Sequence, residues 1–412
     1  MSPVVYILGG AQSDFARNLK REGASIESLG REVIEGAFTD AAVGPEGIGV
    51  IHVGNAFSEL FTGQAQLGGL PATVIEGLWG VPASRHEAAC ASGSVAILAA
   101  MADLESGRYD SALVLGIEQQ RNVPGDVAAK HLGAAAHAGH EGQDARYLWP
   151  AMFAKVGDAY EERYGGLTRA HLAAIARKNF DNAKRNPLAQ TRGWSFTDAS
   201  FSDEEEHNPT IEGRIRRQDC GQVTDGAAAL ILAGPTFAAE WARARGVSLD
   251  RVPRFLGWGH RTAGLSLASK LARTSGRDEL LFPHVRRAIT DAFDRAKLPG
   301  AEALSGIETH DCFTTTEYMA IDHFGLTKPG CSFEALEDGR TLRGGSIPMN
   351  SSGGLIGGGH PVGATGVRMV LDASRQVSQR AGDTQIDGAH TIATLNLGGS
   401  ATTVVSFAVG RG

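Results

Sequence analysis

"CASGSVAILAAMADLESGRYDSALVLG", residues 90–116, decides the fold because its layout returns later in the chain. "GHPVGATGVRMVLDASRQ" at 359–376, followed by "AHTIATLNLGG" at 389–399, runs in the same order. Each copy opens on a reactive-type residue, Cys90 or His360. Small residues, an amphipathic helical stretch and a strand ending in glycine follow. A duplicated α/β unit would put the two helix N-termini at equivalent places, and halves packed face to face would bring Cys90 and His360 to one pocket.

The flanking sequence supports the same alternation. "VVYILGG" at 4–10, "VIHVGNAF" at 50–57 and "SALVLGIE" at 111–118 read as strands buried on both faces. "SIESLGREVIEGAFTDA" at 25–41 reads as a helix opened by a serine cap. From about residue 119 the pattern breaks into Gly, Ala, His and polar residues, then carries helices of its own in "PAMFAKVGDAYEERYG" and "TRAHLAAIARKNFDNAKRNP". Alternation resumes at "RVPRFLGWG", with a helix in "PHVRRAITDAFDRAK", a strand in "GIETHDCF" and terminal strands "HTIATLNLGG" and "TTVVSFAVG". The expected domains are a first half over 1–118, an inserted region over 119–250 that includes or abuts the closing strand of that half, and a second half over 251–412.

Composition narrows the function. At 412 residues, with 42% hydrophobic and 21% charged, the chain has room for two cores. A net charge of −7 with no basic, aromatic-interleaved face argues against nucleic acid. Cys90, Cys220, Cys312 and Cys331 are far apart and lack any CxxC spacing, so reduced thiols and a cytoplasmic setting are expected. No leader, lipidation box or membrane-spanning run is evident.

Four segments could do chemistry. Cys90 at a helix N-terminus would feel the helix dipole and nearby N–H groups, both of which favour thiolate; as an alternative it simply fills a helix–sheet gap. "NSSGGLIGGGHPVGATG" at 350–366 carries seven glycines that regular packing would not choose, and it presents His360 as a base or hydrogen-bond donor. It lacks the lysine of a P-loop, and no acid follows at dinucleotide spacing. "IETHDCFTTTEYMAIDHFGL" offers His310, Asp311, Cys312 and Glu317. His310, Cys312 and His323 lack zinc-ligand spacing, so no metal is expected, and Asp311 reads equally well as a cap for the following helix. "NLGGSATT" at 396–403 sets Gly398 and Gly399 after a strand, where their N–H groups, with that of Cys90, could hold an oxyanion; a plain turn is the simpler alternative.

With those segments in hand, the chain resembles a thiolase along its whole length. "EAACASGSVAI" is similar to the family's nucleophile segment, "GHPVGATG" to its second signature, and "DCGQVTDGAAALIL" at 219–232 to the segment closing the loop domain. Two departures point to the sterol-carrier-protein type. Asn396 stands where most thiolases have the cysteine of Cys-x-Gly, and "HDCF" at 310–313 replaces an Asn-led motif. No lipid-carrier segment is expected after Gly412.

The resemblance implies two duplicated βαβαβαββ halves forming a five-layered αβαβα core with an inserted loop domain. It further implies acyl transfer between CoA thioesters through an acyl-enzyme. Cys90 would be the nucleophile, His360 its base, and Cys312 the acid/base on carbon. His310 and His360 would hold the enolate oxygen, and the N–H groups of Cys90 and Gly398 the acyl oxyanion. CoA would be a substrate lying over residues 119–250, with "GWGHRTAG" at 257–264 a further contact, and no cofactor would be needed. A homodimer or homotetramer, with or without a small accessory protein, is the expected assembly. A scaffold without activity, a ketoacyl synthase and a related aldolase are the competing readings.

Overall fold

The computed structural model describes residues 4–411. Its strands are β1 (Tyr6–Gln12), β2 (Val50–Gly54), β3 (Ala83–His86), β4 (Ser111–Glu118), a separate small hairpin of β5 (Thr210–Glu212) and β6 (Ile215–Arg216), β7 (Gly226–Ala233), β8 (Arg254–Thr262), β9 (Gly306–Thr309), β10 (Thr391–Gly398) and β11 (Thr403–Gly410). The helices that matter below are α1 (Ile26–Ala41), α2 (Ser92–Glu105), α3 (Leu148–Tyr164), α4 (Arg169–Ala183), α5 (Pro283–Ala296), α6 (Thr314–Phe324), the single turn α7 (Gly354–Gly358) and α8 (Val362–Val377).

Nine strands are hydrogen-bonded in the order β3-β2-β4-β7-β1-β8-β11-β10-β9. The duplication is visible in that order. Walking inward from one side, β2 and β4 are parallel, β4 and β7 antiparallel, and β7 and β1 antiparallel. Walking inward from the other, β9, β10, β11 and β8 repeat the same three relations. The halves meet where β1 and β8 pair antiparallel at Tyr6 and Arg254. β3 is the extra edge strand of the first half. β7 falls within the inserted stretch of sequence yet lies between β4 and β1.

Side-chain alternation along β7 sorts the layers. Ala227, Ala229, Ile231 and Ala233 face a cluster with α1, whereas Ala228, Leu230 and Leu232 face a cluster shared by α2, α8 and the second half's Val405 and Phe407. Two helices, one from each half, thus lie between the two halves of the sheet, with α1 outside one half and α5 outside the other. The central position explains why α8 is buried nearly all round, polar residues included: Val367, Val370, Leu371 and Val377 are each fully buried, worth about 1.5–3 kcal/mol apiece.

Close approach of the two central helices is made possible by glycine. A Cβ on Gly93 of α2 would sit 2.7 Å from the carbonyl oxygen of Gly363 in α8, nearer than real Cβ contacts come. That contact lies one turn beyond Cys90 on one helix and three residues beyond His360 on the other.

The inserted helices α3 and α4 pack on the second half. Met152, Phe153, Tyr160, Leu172 and Ile175 share a core with Phe313, Tyr318 and Met319, and the Tyr160 hydroxyl donates to Asp322 at 2.6 Å. Among the described residues no helix is long and apolar enough to cross a membrane.

Candidate active site

Cys90 lies in a tight turn, Ala89–Ala91, between β3 and α2. Ala89 holds φ +50°, a left-handed conformation that costs a non-glycine residue free energy. The Ser92 hydroxyl receives the Ala88 N–H at 2.9 Å and donates to Ala89 O at 2.6 Å, which fixes the turn and turns the thiol toward the cavity.

His360 follows Gly359, and its N–H donates to the Thr224 hydroxyl at 2.8 Å. His310 and Cys312 follow β9, where the His310 N–H continues the ladder onto Leu395 O at 2.8 Å. The 219–224 segment pins both turns, since Gly221 N–H donates to Cys312 O at 2.8 Å and Val223 forms a bridge with His360. A cavity of ≈ 380 Å³ receives Cys90, His310, Cys312, His360 and Gly399 at one end. Leu132, Trp149, Phe153, Arg217 and Val223, all of the inserted stretch, also line it.

The cysteine sulfur and one nitrogen of each imidazole lie within 4.8 Å of one another. The two rings stand nearly perpendicular, at 85° with centroids 5.2 Å apart. In both rings Nε2 is buried without a hydrogen-bond partner. Buried nitrogens left in that state cost free energy, which a substrate oxygen or the thiol can recover.

The partners of the other ring nitrogens assign different roles to the two histidines. Thr365 donates its hydroxyl proton to Pro361 O at 3.1 Å, so its oxygen accepts from Nδ1–H of His360 at 2.8 Å. That leaves Nε2 of His360 with a lone pair, the form of a base. The Asn396 carbonyl accepts from the Ser94 hydroxyl at 2.8 Å, which turns the Asn396 amino group toward His310 Nδ1 at 3.1 Å. Nδ1 of His310 therefore accepts, and its Nε2 carries the proton, the form of an oxyanion donor.

Electrostatics keeps both rings neutral. Burial, and next the Arg368 guanidinium, push His360 down to about 3; burial, His360 and Arg368 push His310 well below the ordinary histidine value. Arg368 is itself buried and held by Glu308, Ser352 and Asp372 at 2.8–3.2 Å.

The thiol departs from the sequence-based expectation of a lowered pKa. Burial, then the Glu118 carboxylate, push Cys90 up to about 12, while the N–H groups of Gly399 and of Cys90 act in the opposite direction. The helix end has the expected sign and is outweighed. Cys90 rests as a thiol and needs a base, which is what the bare Nε2 of His360 offers. Cys312 is raised well above the ordinary thiol value by burial and by Cys90.

Gly398 ends β10, and it is Gly399, at φ +60°, that lines the cavity. Asp311 does not cap the helix that follows it. Its carboxylate accepts from the N–H groups of Leu355 and Ile356 at 2.6 and 3.2 Å and from Asn179 at 2.8 Å, because the glycine loop's N–H groups have no other partners there. Gly354, at φ +62°, is required by that contact, since a Cβ would lie 2.3 Å from the carboxylate. Glu317 is paired with Lys178 and bonded to Asn179 and Asn350, away from the cavity. His323 is satisfied in the core by Met319 O and the Phe282 N–H. No residue of the 257–264 segment lines the cavity; it forms most of β8.

Sequence reasoning missed Thr365, Arg368, Thr224 and Glu118. Glu118 is fully buried and accepts from the Asn55 amide and the N–H groups of Ala56, Phe57 and Gly363 at 2.9–3.1 Å, tying the first half to the start of α8. A lone acid ending the hydrophobic strand "SALVLGIE" was the available signal.

Residues 5–194 match the family model described as Thiolase, N-terminal domain, and residues 267–411 match Thiolase C-terminal domain-like. The acetyl-CoA acetyltransferase of Methanothermobacter thermautotrophicus is 30% identical over 96% of both chains. Human sterol carrier protein 2 is 27% identical over 98% of this chain and 72% of its own. Among solved structures, the Ltp2-ChsH2(DUF35) aldolase superposes with a TM-score of 0.77 at 19% identity, covering 99% of this chain and 98% of that one. The acetyl-CoA acetyltransferase from Syntrophomonas wolfei gives a TM-score of 0.70 at 17% identity over the full length of both.

Proposed function

The chain belongs to the thiolase family, and on that premise we propose that it is an acyl-CoA:acetyl-CoA C-acyltransferase. It would cleave a 3-ketoacyl-CoA with CoA, or condense two acetyl-CoA, by way of an acyl group carried on Cys90. The observation that carries this reading is the convergence of a protonated thiol, a bare imidazole nitrogen and a protonated one, within 4.8 Å, at the end of a cavity.

In the first half-reaction Nε2 of His360 takes the Cys90 proton as the sulfur attacks the thioester or ketone carbonyl. The N–H groups of Cys90 and Gly399 face the oxyanion that forms; one such donor is typically worth about 2.7–4 kcal/mol. In the cleavage direction, carbon–carbon scission expels an enolate, whose oxygen meets His310 Nε2–H, and Cys312 delivers the proton to carbon. In the condensing direction Cys312 removes that proton from acetyl-CoA. CoA leaves or enters as a substrate along the wall formed by Leu132, Trp149 and Phe153, and the chemistry calls on no further cofactor. A self-associating cytoplasmic enzyme of acyl-chain metabolism, open to a small accessory protein, is the setting this reading carries.

The test is intact-mass measurement after brief exposure to acetyl-CoA. An acetyl adduct on the native chain, absent from Cys90→Ala, supports acyl transfer. No adduct, or the same adduct on Cys90→Ala, sinks it in favour of an idle acyl-CoA scaffold or an aldolase. Turnover of a panel of 3-ketoacyl-CoAs with free CoA then identifies the acyl chain.

A further inference from the structure

We propose that Cys90, His310 and His360 together also form a site for a thiophilic divalent cation of the zinc class, which silences the nucleophile when it binds. Ligand spacing in sequence gave no hint of this, because the three residues come from both halves. In space their donor atoms lie within 4.8 Å of one another. Bond lengths of about 2.3 Å to sulfur and 2.0 Å to nitrogen put tetrahedral ligands roughly 3.3–3.5 Å apart, so side-chain adjustments on the order of 1 Å close the triangle.

Two independent features point to a ligand there. Nε2 of His310, in a residue 1% exposed, and Nε2 of His360 both lack partners, and one nitrogen of each ring lies within 4.8 Å of the other and of the Cys90 sulfur. Each opposite ring nitrogen is held, by Asn396 and by Thr365, which is how a protein orients imidazoles toward a metal. The fourth position faces the cavity and is left to water.

One obstacle is that His310 carries its proton on Nε2, where a cation would bind. Asn396 removes it. A half-turn of its amide brings the carbonyl to His310 and the amino group to the Ser94 oxygen, and both neighbours can exchange donor and acceptor roles. The His310 proton then resides on Nδ1 and Nε2 is free. The balance is simple: the cation forms a bond to Cys90 sulfur, the thiol proton leaves to solvent, and His310 changes tautomer without net loss. Of the buried charges nearby, the Glu118 carboxylate favours the added charge and the Arg368 guanidinium opposes it.

The experiment uses the full chain, freed of metal by a chelator, with Co²⁺ as the spectroscopic probe and Zn²⁺ as competitor. One Co²⁺ per chain, with a thiolate-to-metal band lost in both Cys90→Ala and Cys90→Ser, is expected. Zn²⁺ should displace it and slow alkylation of Cys90 by iodoacetamide at least about tenfold, reversed by EDTA. Asn396→Asp can only accept from His310, so it fixes the ligating tautomer and should tighten Zn²⁺ binding by about tenfold or more. Absence of a thiolate band, its persistence in Cys90→Ala, or unchanged affinity in Asn396→Asp each overturns the proposal. None of these readouts uses acyl-CoA, so a failure of the acyl-transfer reading leaves this site standing and the converse also holds.

Discussion

The hydroxyl of Thr365 sits 2.8 Å from Nδ1 of His360 and, because it gives its own proton to Pro361 O, it can only receive. This one side chain selects the tautomer that can act on Cys90. Thr365→Val keeps the shape and removes the acceptor. Acylation of the enzyme by acetyl-CoA should slow by roughly ten- to a hundredfold, the equivalent of a buried hydrogen bond left unmade. Stopped-flow release of CoA measures it.

A thiol raised to about 12 by burial and Glu118 should alkylate slowly at neutral pH and keep accelerating with pH, without a plateau below about pH 10. Glu118→Gln removes a negative charge that favours the protonated thiol, so its Cys90 should react faster at pH 8 while circular dichroism stays native. An unchanged alkylation profile would show that the carboxylate does not act on the sulfur.

The proposed reaction assigns His310 and Cys312 to the carbon–carbon step. His310→Ala and Cys312→Ala should both retain the acetyl adduct on Cys90. His310→Ala should lower condensation or thiolysis by about 10²–10³, the usual effect of one lost oxyanion donor. An adduct missing from either variant would move that residue into the acylation step.

Protonation of His360 couples to stability. Its value of about 3 in the fold lies below the ordinary ~6.5 of an unfolded histidine, so the neutral ring favours folding fully above that pH. This contribution is lost as pH falls through the window from about 6.5 to about 3. Urea titrations across that range should show a shallower decline for His360→Asn than for the native chain.

Gly354→Ala tests the glycine loop. It places a methyl group at φ +62° against the Asp311 carboxylate, 2.3 Å away, so backbone or carboxylate must shift. A loss of about 1–3 kcal/mol is expected, with weakened acylation because His360 hangs from the same loop.

Much of this site was legible in the letters. Cys90 and His360 were marked by small or glycine-rich surroundings before a helix, His310 and Cys312 by their place just after a strand, and all four line one cavity. The duplicated half was legible because helix and strand periods repeat in order, as β2, β4 and β7 do in β9, β10 and β11. The direction of the thiol's shift was not, since burial depends on what the second half lays over Cys90. Nor were Arg368 and Thr365: both sit inside an amphipathic helix pattern and read as ordinary helix positions until α8 is seen enclosed between the two halves of the sheet. Asp311 was misassigned for a similar reason, its donors lying more than forty residues away on a loop that only tertiary contact brings near.

Gly93 against Gly363 has a consequence for biogenesis. Half of the reactive machinery is synthesised more than two hundred residues before the other half, and the two become chemically competent only when their helices nest. Until that late step a nascent or misassembled chain carries an ordinary exposed thiol with no imidazole beside it. The nesting of the two helices therefore sets the moment at which thiol, imidazoles and cavity first meet.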